Sequence, residues 1–284
     1  MYRNGSAEQT NAAAHLPAPM RIAPAQTVAA TRAMVIRALG EDRVTAVFQP
    51  VVDTRDTRRI AFHEALVRIR TASGALLAPN QFLPALSDTP LAAAVDRAML
   101  RQVLAALRRH PDLRLAVNVC PATCDGGGWL RELDAAARHA PDLAYRLIVE
   151  VAEDTGPLED PGRHDFLSRL RHMGVSTALD DFGAGRTGFA QFRQQRFDIV
   201  KIDGSYGDGL ARDRDAQALV RALVALASHF EMLSVIEFID NAEDARCAKA
   251  LGVDAMQGFL FGRPVVRLPG SDDDSDDHGG RAAC

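Results

Sequence analysis

The sequence predicts an α/β fold, specifically a TIM-barrel-like (β/α)8 domain. Strand-like and helix-like patterns alternate across about 230 residues, the size and rhythm of such a barrel. The apolar runs include LRLAVNVC, RLIVEVAED, STALDDFGAG, FDIVKIDG, LSVIEFID and DAMQGFLFG, and they read as strands covered on both faces. Near their ends sit carboxylates and amides, where a TIM barrel carries its functional groups. The alternative, an open doubly wound sheet, lacks the glycine-rich phosphate loop expected after an early strand.

Residues 1–25 are small, polar and proline-bearing without periodicity, so a disordered lead-in is expected there. The barrel is expected over 26–268, opening with a helix at 26–39. Strands at 44–53 and 60–70 are joined by a turn rich in Asp, Thr and Arg, short enough to pair them antiparallel. A long helix over 91–109 follows, with apolar residues at helical spacing. Strands at 113–120, 146–152, 176–182, 199–202, 233–238 and 255–261 then alternate with helices near 129–138, 163–173, 189–195, 216–229 and 242–251. The acidic stretch 269–284 reads as a solvated, disordered tail.

Composition narrows the function. A formal net charge of −4 and a pI of about 6.1 argue against binding a nucleic-acid polymer through its backbone. The cationic charge is almost all arginine; the only lysines are Lys201 and Lys249, so a lysine at a strand end is a louder signal than usual. Cys120, Cys124, Cys247 and Cys284 are too scattered for a disulfide framework, and they are expected to be free thiols in a reducing cytosol. No segment reaches the ~20 apolar residues of a membrane span, and no secretory signal opens the chain. A cytoplasmic protein is expected.

A charge inside a buried strand costs several kcal/mol unless it is paired, metal-bound or at the rim. If the barrel closes, Glu64, Asn118, Glu150, Asp180, Asp181 and Glu237 converge on one mouth. Several carboxylates in a small volume cannot all stay ionised without protons or a compensating cation. An all-oxygen donor set suits Mg²⁺ or Mn²⁺ rather than zinc. The adjacent Asp180 and Asp181 can reach two ions, and ions ~3.5–4 Å apart recur in displacement at phosphorus. Lys201 would orient or help activate the attacking water, and Arg68 could clamp a phosphate oxygen. Each group alone has a plainer reading: Glu64 as a rim ion pair with Arg68, Asn118 as a turn amide, Lys201 and Asp203 as an exposed pair. Joint occurrence on successive strands is what independent explanations handle poorly.

The motifs HEALVR (63–68), NVC (118–120), EVAE (150–153), DDFGAG (180–185), VKID (200–203), IEFID (236–240) and QGFLFGRP (257–264) resemble, in order and spacing, those of EAL domains, with FQP (48–50) similar to their opening strand. The resemblance covers roughly residues 26–266. It implies a modified TIM barrel with one antiparallel strand, and a phosphodiesterase that cuts cyclic di-GMP to linear pGpG with two Mg²⁺ or Mn²⁺ ions. It implies Glu64, Asn118, Glu150 and Asp180 as ligands of the first ion, and Asp180, Asp181 and Glu237 as ligands of the second. Lys201 and Gln257 resemble the residues that hold the attacking water, so Lys201, Glu64, Gln257 and Glu237 form the implied catalytic set. Arg68, Gln49 and Asp203 are the implied substrate contacts, and Glu153 and Asp240 the implied loop braces.

Departures accompany the match. The family's T/A-G-Y-S-S loop reads Ala-Gly-Arg-Thr-Gly at 184–188, which bears on metal binding and dimer coupling. The E-G-V-E segment becomes Glu237-Phe-Ile-Asp240, with Phe238 in place of a permissive glycine. Cys120 and Ile69 stand where serine and tryptophan are common. No implied metal ligand is lost. The competing expectation is a catalytically silent domain that senses cyclic di-GMP or scaffolds a partner; a two-metal hydrolase of another phosphoester is weaker. Regulation is expected through a homodimer or a partner protein.

Overall fold

The computed structural model describes residues 28–87, 89–153, 161–183 and 196–268. Helix α1 (Val28–Gly40) leads into β1 (Val44–Asp53) and β2 (Ile60–Arg70), followed by the two-residue β3 (Leu76–Leu77). Then come α2 (Pro90–Arg109), β4 (Leu115–Val119), α3 (Pro121–Gly126), α4 (Gly128–His139), α5 (Asp142–Arg146) and β5 (Leu147–Ala152). Beyond them lie α6 (Pro161–His172), β6 (Ser176–Phe182), β7 (Ile199–Ile202), α7 (Gly204–Gly207), α8 (Arg214–His229), β8 (Leu233–Ile236), α9 (Ala242–Ala250) and β9 (Ala255–Gln257). The helix expected at 189–195, the altered loop at 184–188 and both tails fall outside the described residues.

The sheet runs β1-β9-β8-β7-β6-β5-β4-β2-β3, and a further β1–β2 pairing closes it into a barrel. β1 is antiparallel to both neighbours, β2 and β9, as the short turn after residue 53 requires. From β2 through β4 to β9 every pairing is parallel. The expected barrel with one antiparallel strand is therefore what forms, and β3 pairs with the end of β2 at Ile69 and Arg70, beyond the stretch that pairs with β4. β8 and β9 end at Ile236 and Gln257, a few residues earlier than expected, because Phe238 takes a positive φ just after β8 and a turn closed by the Phe261 amide on the Gly258 carbonyl follows β9.

Helices cover the outer face. α2 presents Val95, Met99, Val103 and Leu107, at steps of four residues, to the barrel. α8 and α9 begin on side-chain caps: Asp213 accepts from the amides of Asp215 and Ala216, and Asn241 from those of Glu243 and Asp244.

Inside the barrel, period-two alternation sorts side chains into two tiers. The lower tier is a buried apolar cluster with one residue per strand: Val51, Phe62, Ala116, Ile148, Ala178, Ile199, Val235 and Ala255. Two residues further on along each parallel strand stands a polar residue: Glu64, Asn118, Glu150, Asp180, Lys201, Glu237 and Gln257. On the antiparallel β1 the same level is reached two residues earlier, at Gln49. The apolar plug closes the barrel beneath the site.

Candidate active site

Lys201 stands at the centre of the upper tier, its side chain only 1% exposed. Its Nζ lies 3.2 Å from Glu64 Oε2, 2.9 Å from Glu150 Oε2, 2.9 Å from Asp180 Oδ1 and 2.7 Å from Glu237 Oε1. Asp180 meets the ammonium at ion-pair distance but outside hydrogen-bonding geometry. Asn118 Nδ2 donates to Glu64 Oε1 at 2.8 Å, and Gln257 Nε2 donates to Glu64 Oε2 at 2.7 Å. Gln257 Nε2 also reaches Gln49 Oε1 at 3.3 Å, and Gln49 donates to the Gly262 carbonyl. Glu64, Asn118, Glu150, Asp180, Lys201, Glu237, Gln257 and Gln49 are thus brought together.

Adjacent residues on a regular strand point to opposite faces, so Asp180 and Asp181 should not share a site. A register shift in the β6–β7 pairing between Leu179 and Phe182, with Asp181 at φ 57°, breaks the alternation. Ligand atoms of Asp180, Asp181 and Glu237 then lie within 4.8 Å of one another, as do those of Glu64, Glu150 and Asp180. Two acidic triads share Asp180. The donors are oxygens throughout. Glu150 Oε1 and Gln257 Oε1 are buried without a hydrogen-bond partner, which native structures rarely tolerate unless another group satisfies them. Five carboxylates against one ammonium leave a formal charge of minus four at full ionisation, and two divalent cations cancel it. The residues fit a pair of hard cations.

Proton affinities follow the crowding. Burial pushes the Glu150 carboxyl well above its ordinary value, with the neighbouring Glu64 and Asp180 charges adding to the rise. Burial likewise raises Glu237 to about 8, against the pull of Lys201. Burial and the Asp180 charge raise Asp181 to about 6. Burial acts upward on Glu64 too, but Lys201 and the bonds from Gln257 and Asn118 hold it below the usual range. Lys201 is pulled down by burial and more than restored by its four acids, so it stays protonated well past its ordinary value. With no metal among the acids, Lys201 is held in its charged, donating form.

The other expected site residues take distinct places. Glu153 Oε2 accepts from the Gly183 amide at 3.0 Å, bracing the chain just after the paired aspartates. Asp240 Oδ1 accepts from the Phe259 amide at 2.7 Å, tying the turn after β8 to the turn after β9. Arg68 lies four residues above Glu64 on β2 and lines the cavity, with Nη1 donating to the Val67 carbonyl at 2.8 Å. Asp203 caps α7, accepting from the Ser205 amide at 2.9 Å, and its charge contributes to the rise at Asp181. A cavity of about 740 Å³ opens beside the cluster, with Glu64, Arg68, Asn118, Asp180, Glu237 and Gln257 on its polar side. Val95, Met99, Val117, Phe238, Phe259 and Pro264 are on its apolar side. The aromatic rim was not among the expected site residues; Phe238 directly after Glu237, and Phe259 inside the QGFLFGRP motif, were the available signal.

Fold and site together define a TIM-type barrel with a polyacidic mouth, open to a cavity and furnished with groups able to hold metal ions. The chain belongs to the EAL domain family, whose model matches residues 32–264. It is 27% identical over 232 residues to the cyclic di-GMP phosphodiesterase PdeF of Escherichia coli (strain K12), covering 80% of this chain and 31% of that protein. It is 30% identical over 208 residues to the bifunctional diguanylate cyclase/cyclic di-GMP phosphodiesterase MucR of Pseudomonas aeruginosa, covering 71% of this chain and 30% of that protein. The chain thus spans about a third of the length of these curated relatives. Among solved structures, the PaMucR phosphodiesterase in complex with c-di-GMP superposes with a TM-score of 0.76 at 28% identity, covering 83% of this chain and 97% of that one. The FimX EAL domain of Pseudomonas aeruginosa bound to c-di-GMP shares the fold with a TM-score of 0.76 at 23% identity, covering 84% and 97%. Among the described residues no helix is long and apolar enough to cross a membrane.

Proposed function

We propose that this chain hydrolyses one phosphodiester bond of cyclic di-GMP, giving linear pGpG, with two Mg²⁺ or Mn²⁺ ions. The observation that carries the proposal is the pair of acidic triads sharing Asp180 beside an open cavity. Glu64, Asn118, Glu150 and Asp180 would hold one ion, and Asp180, Asp181 and Glu237 the other. Such a pair, when bound, neutralises the phosphoryl oxygens and lowers the pKa of water.

The chain's own residues supply position. Gln257 and Asn118 fix the Glu64 carboxylate from both sides, so its oxygens are aimed before any ligand arrives. Lys201, buried behind the acids that line the cavity, holds Glu64, Glu150 and Glu237 at fixed positions through its ammonium. Arg68 needs only to leave the Val67 carbonyl to reach an anionic ester in the cavity. Glu153 keeps the bulged Asp181 backbone in place through Gly183.

Purified protein incubated with cyclic di-GMP and Mn²⁺ is expected to form pGpG, and Glu64→Ala is expected to abolish it. No product from a folded protein contradicts the proposal. The departures at 184–188 and 238 favour one second reading, a receptor that binds cyclic di-GMP without turnover; binding that persists in EDTA with no hydrolysis would select it. A cytoplasmic location and assembly as a homodimer or with a regulatory partner belong to the same proposal.

A further inference from the structure

Phe238 occupies a backbone conformation that suits it poorly. Its φ is 57°, in the left-handed region where a Cβ crowds the backbone. Burial does not compensate, since the residue is 62% exposed. Strain of this kind persists only where surrounding structure enforces it, and it gathers at ligand sites.

The enforcement comes from α7. A Cβ on Gly204 would stand 2.2 Å from Phe238 Cδ2, so the aromatic ring rests directly on that glycine. A Cβ on Gly207 would stand 1.9 Å from the Glu237 carbonyl oxygen, so the backbone of the same turn beds on the second glycine. Asp203 caps the helix that carries both. One turn therefore sends the Glu237 carboxylate inward to 2.7 Å from Lys201 and sets the Phe238 ring on the cavity wall. The other rim aromatic, Phe259, already has the Arg263 guanidinium 4.1 Å from its ring centroid. Phe238 rests on Gly204 and is 62% exposed, with no cation–π partner among the described residues.

We infer that Phe238 is a further substrate-binding residue, the stacking platform for a base of the bound nucleotide diester. This rests on the cyclic di-GMP reading above and adds a contact at a position where the family motif has glycine. Stacking on an aromatic ring accepts any base, since each has a π-face, and its loss on truncation of the ring is read as affinity.

Phe238→Gly separates the ligand role from a packing role, because glycine adopts the left-handed conformation freely. Its melting temperature is expected to equal or exceed that of the wild type. Its affinity for cyclic di-GMP is expected to fall ~5- to 150-fold, the range for loss of one base stack. Affinity is read as KM where the ester is turned over and as calorimetric Kd where it is not. Phe238→Trp is expected to stay within about threefold of the wild type, since the larger ring still stacks. An affinity unchanged in Phe238→Gly overturns the inference and leaves the functional reading standing. A fall in melting temperature together with affinity assigns Phe238 to packing and also overturns it. A wild type that neither binds nor cleaves cyclic di-GMP overturns the functional reading and the inference with it.

Discussion

Replacing Lys201 with methionine removes the one positive charge among four carboxylates while keeping an unbranched side chain of similar length. The ammonium is 2.7–3.2 Å from Glu64, Glu150, Asp180 and Glu237. Removing one partner of a buried ion pair costs ~3–5 kcal/mol, because the remaining charge stays desolvated. In a domain of this size each kcal/mol moves the melting temperature by ~2–4 °C, so Lys201→Met is expected to melt ~6–20 °C lower at pH 8 without divalent metal. Protons can substitute for the ammonium, so the deficit should shrink at pH 5, below the value of about 8 to which burial raises Glu237. Saturating Mn²⁺ should also shrink it, since cations replace the lost charge. Differential scanning calorimetry at the two pH values, with EDTA or Mn²⁺, reads all three effects. A variant within ~2 °C of the wild type at pH 8 in EDTA would refute the placement of Lys201 as the counter-charge of the site.

Other consequences concern protons, backbone and braces. Because folding raises Glu237 to about 8 and Asp181 to about 6, the native state binds more protons than the unfolded chain between their ordinary values and these. Metal-free stability is therefore expected to fall as pH rises from ~4 to ~8 and then level off, at least for these two groups; melting in EDTA across that range checks it. Metal uptake should strengthen over the same range and release protons, seen as a buffer-dependent heat in titration calorimetry. Asp181→Asn keeps a side chain tolerant of φ 57° and is expected to weaken one of two metal sites with little change in melting temperature. Asp181→Val adds strain of ~1–2 kcal/mol and should also melt lower. Glu153→Ala removes the acceptor of the Gly183 amide and is expected to raise the Mn²⁺ concentration for half-maximal activity, with Glu153→Gln recovering part of the loss.

Much of this architecture was legible in the chain because two periodicities coincide. Ile148 and Glu150, or Ile199 and Lys201, are apolar and then polar at a spacing of two, which marks a strand leaving the core at its end. Repeated around the barrel, that spacing predicts both a closed fold and a polar mouth. Local dihedrals were not legible. Nothing in the letters Asp-Asp reveals that the second residue takes a positive φ and turns both carboxylates to one site. Tertiary proximity was equally hidden: Lys201 shows as a strand-end lysine, yet its place among four acids depends on strands far apart in sequence. Asp203 belongs to the expected substrate contacts, and the fold uses its side chain as the cap of α7, beneath the turn that carries Glu237 and Phe238. The two-residue β3 and the short helices α3, α5 and α7 carry too few residues for a periodic signal.

The most direct measurement is the number and separation of Mn²⁺ ions bound by the chain, taken by calorimetric stoichiometry and electron paramagnetic resonance on one sample. Two ions per chain with spectra coupled at ~4 Å, and both lost in Asp180→Ala, are expected from triads that share that aspartate. A single ion, or two uncoupled ions unaffected at Asp180, would contradict the shared-aspartate site.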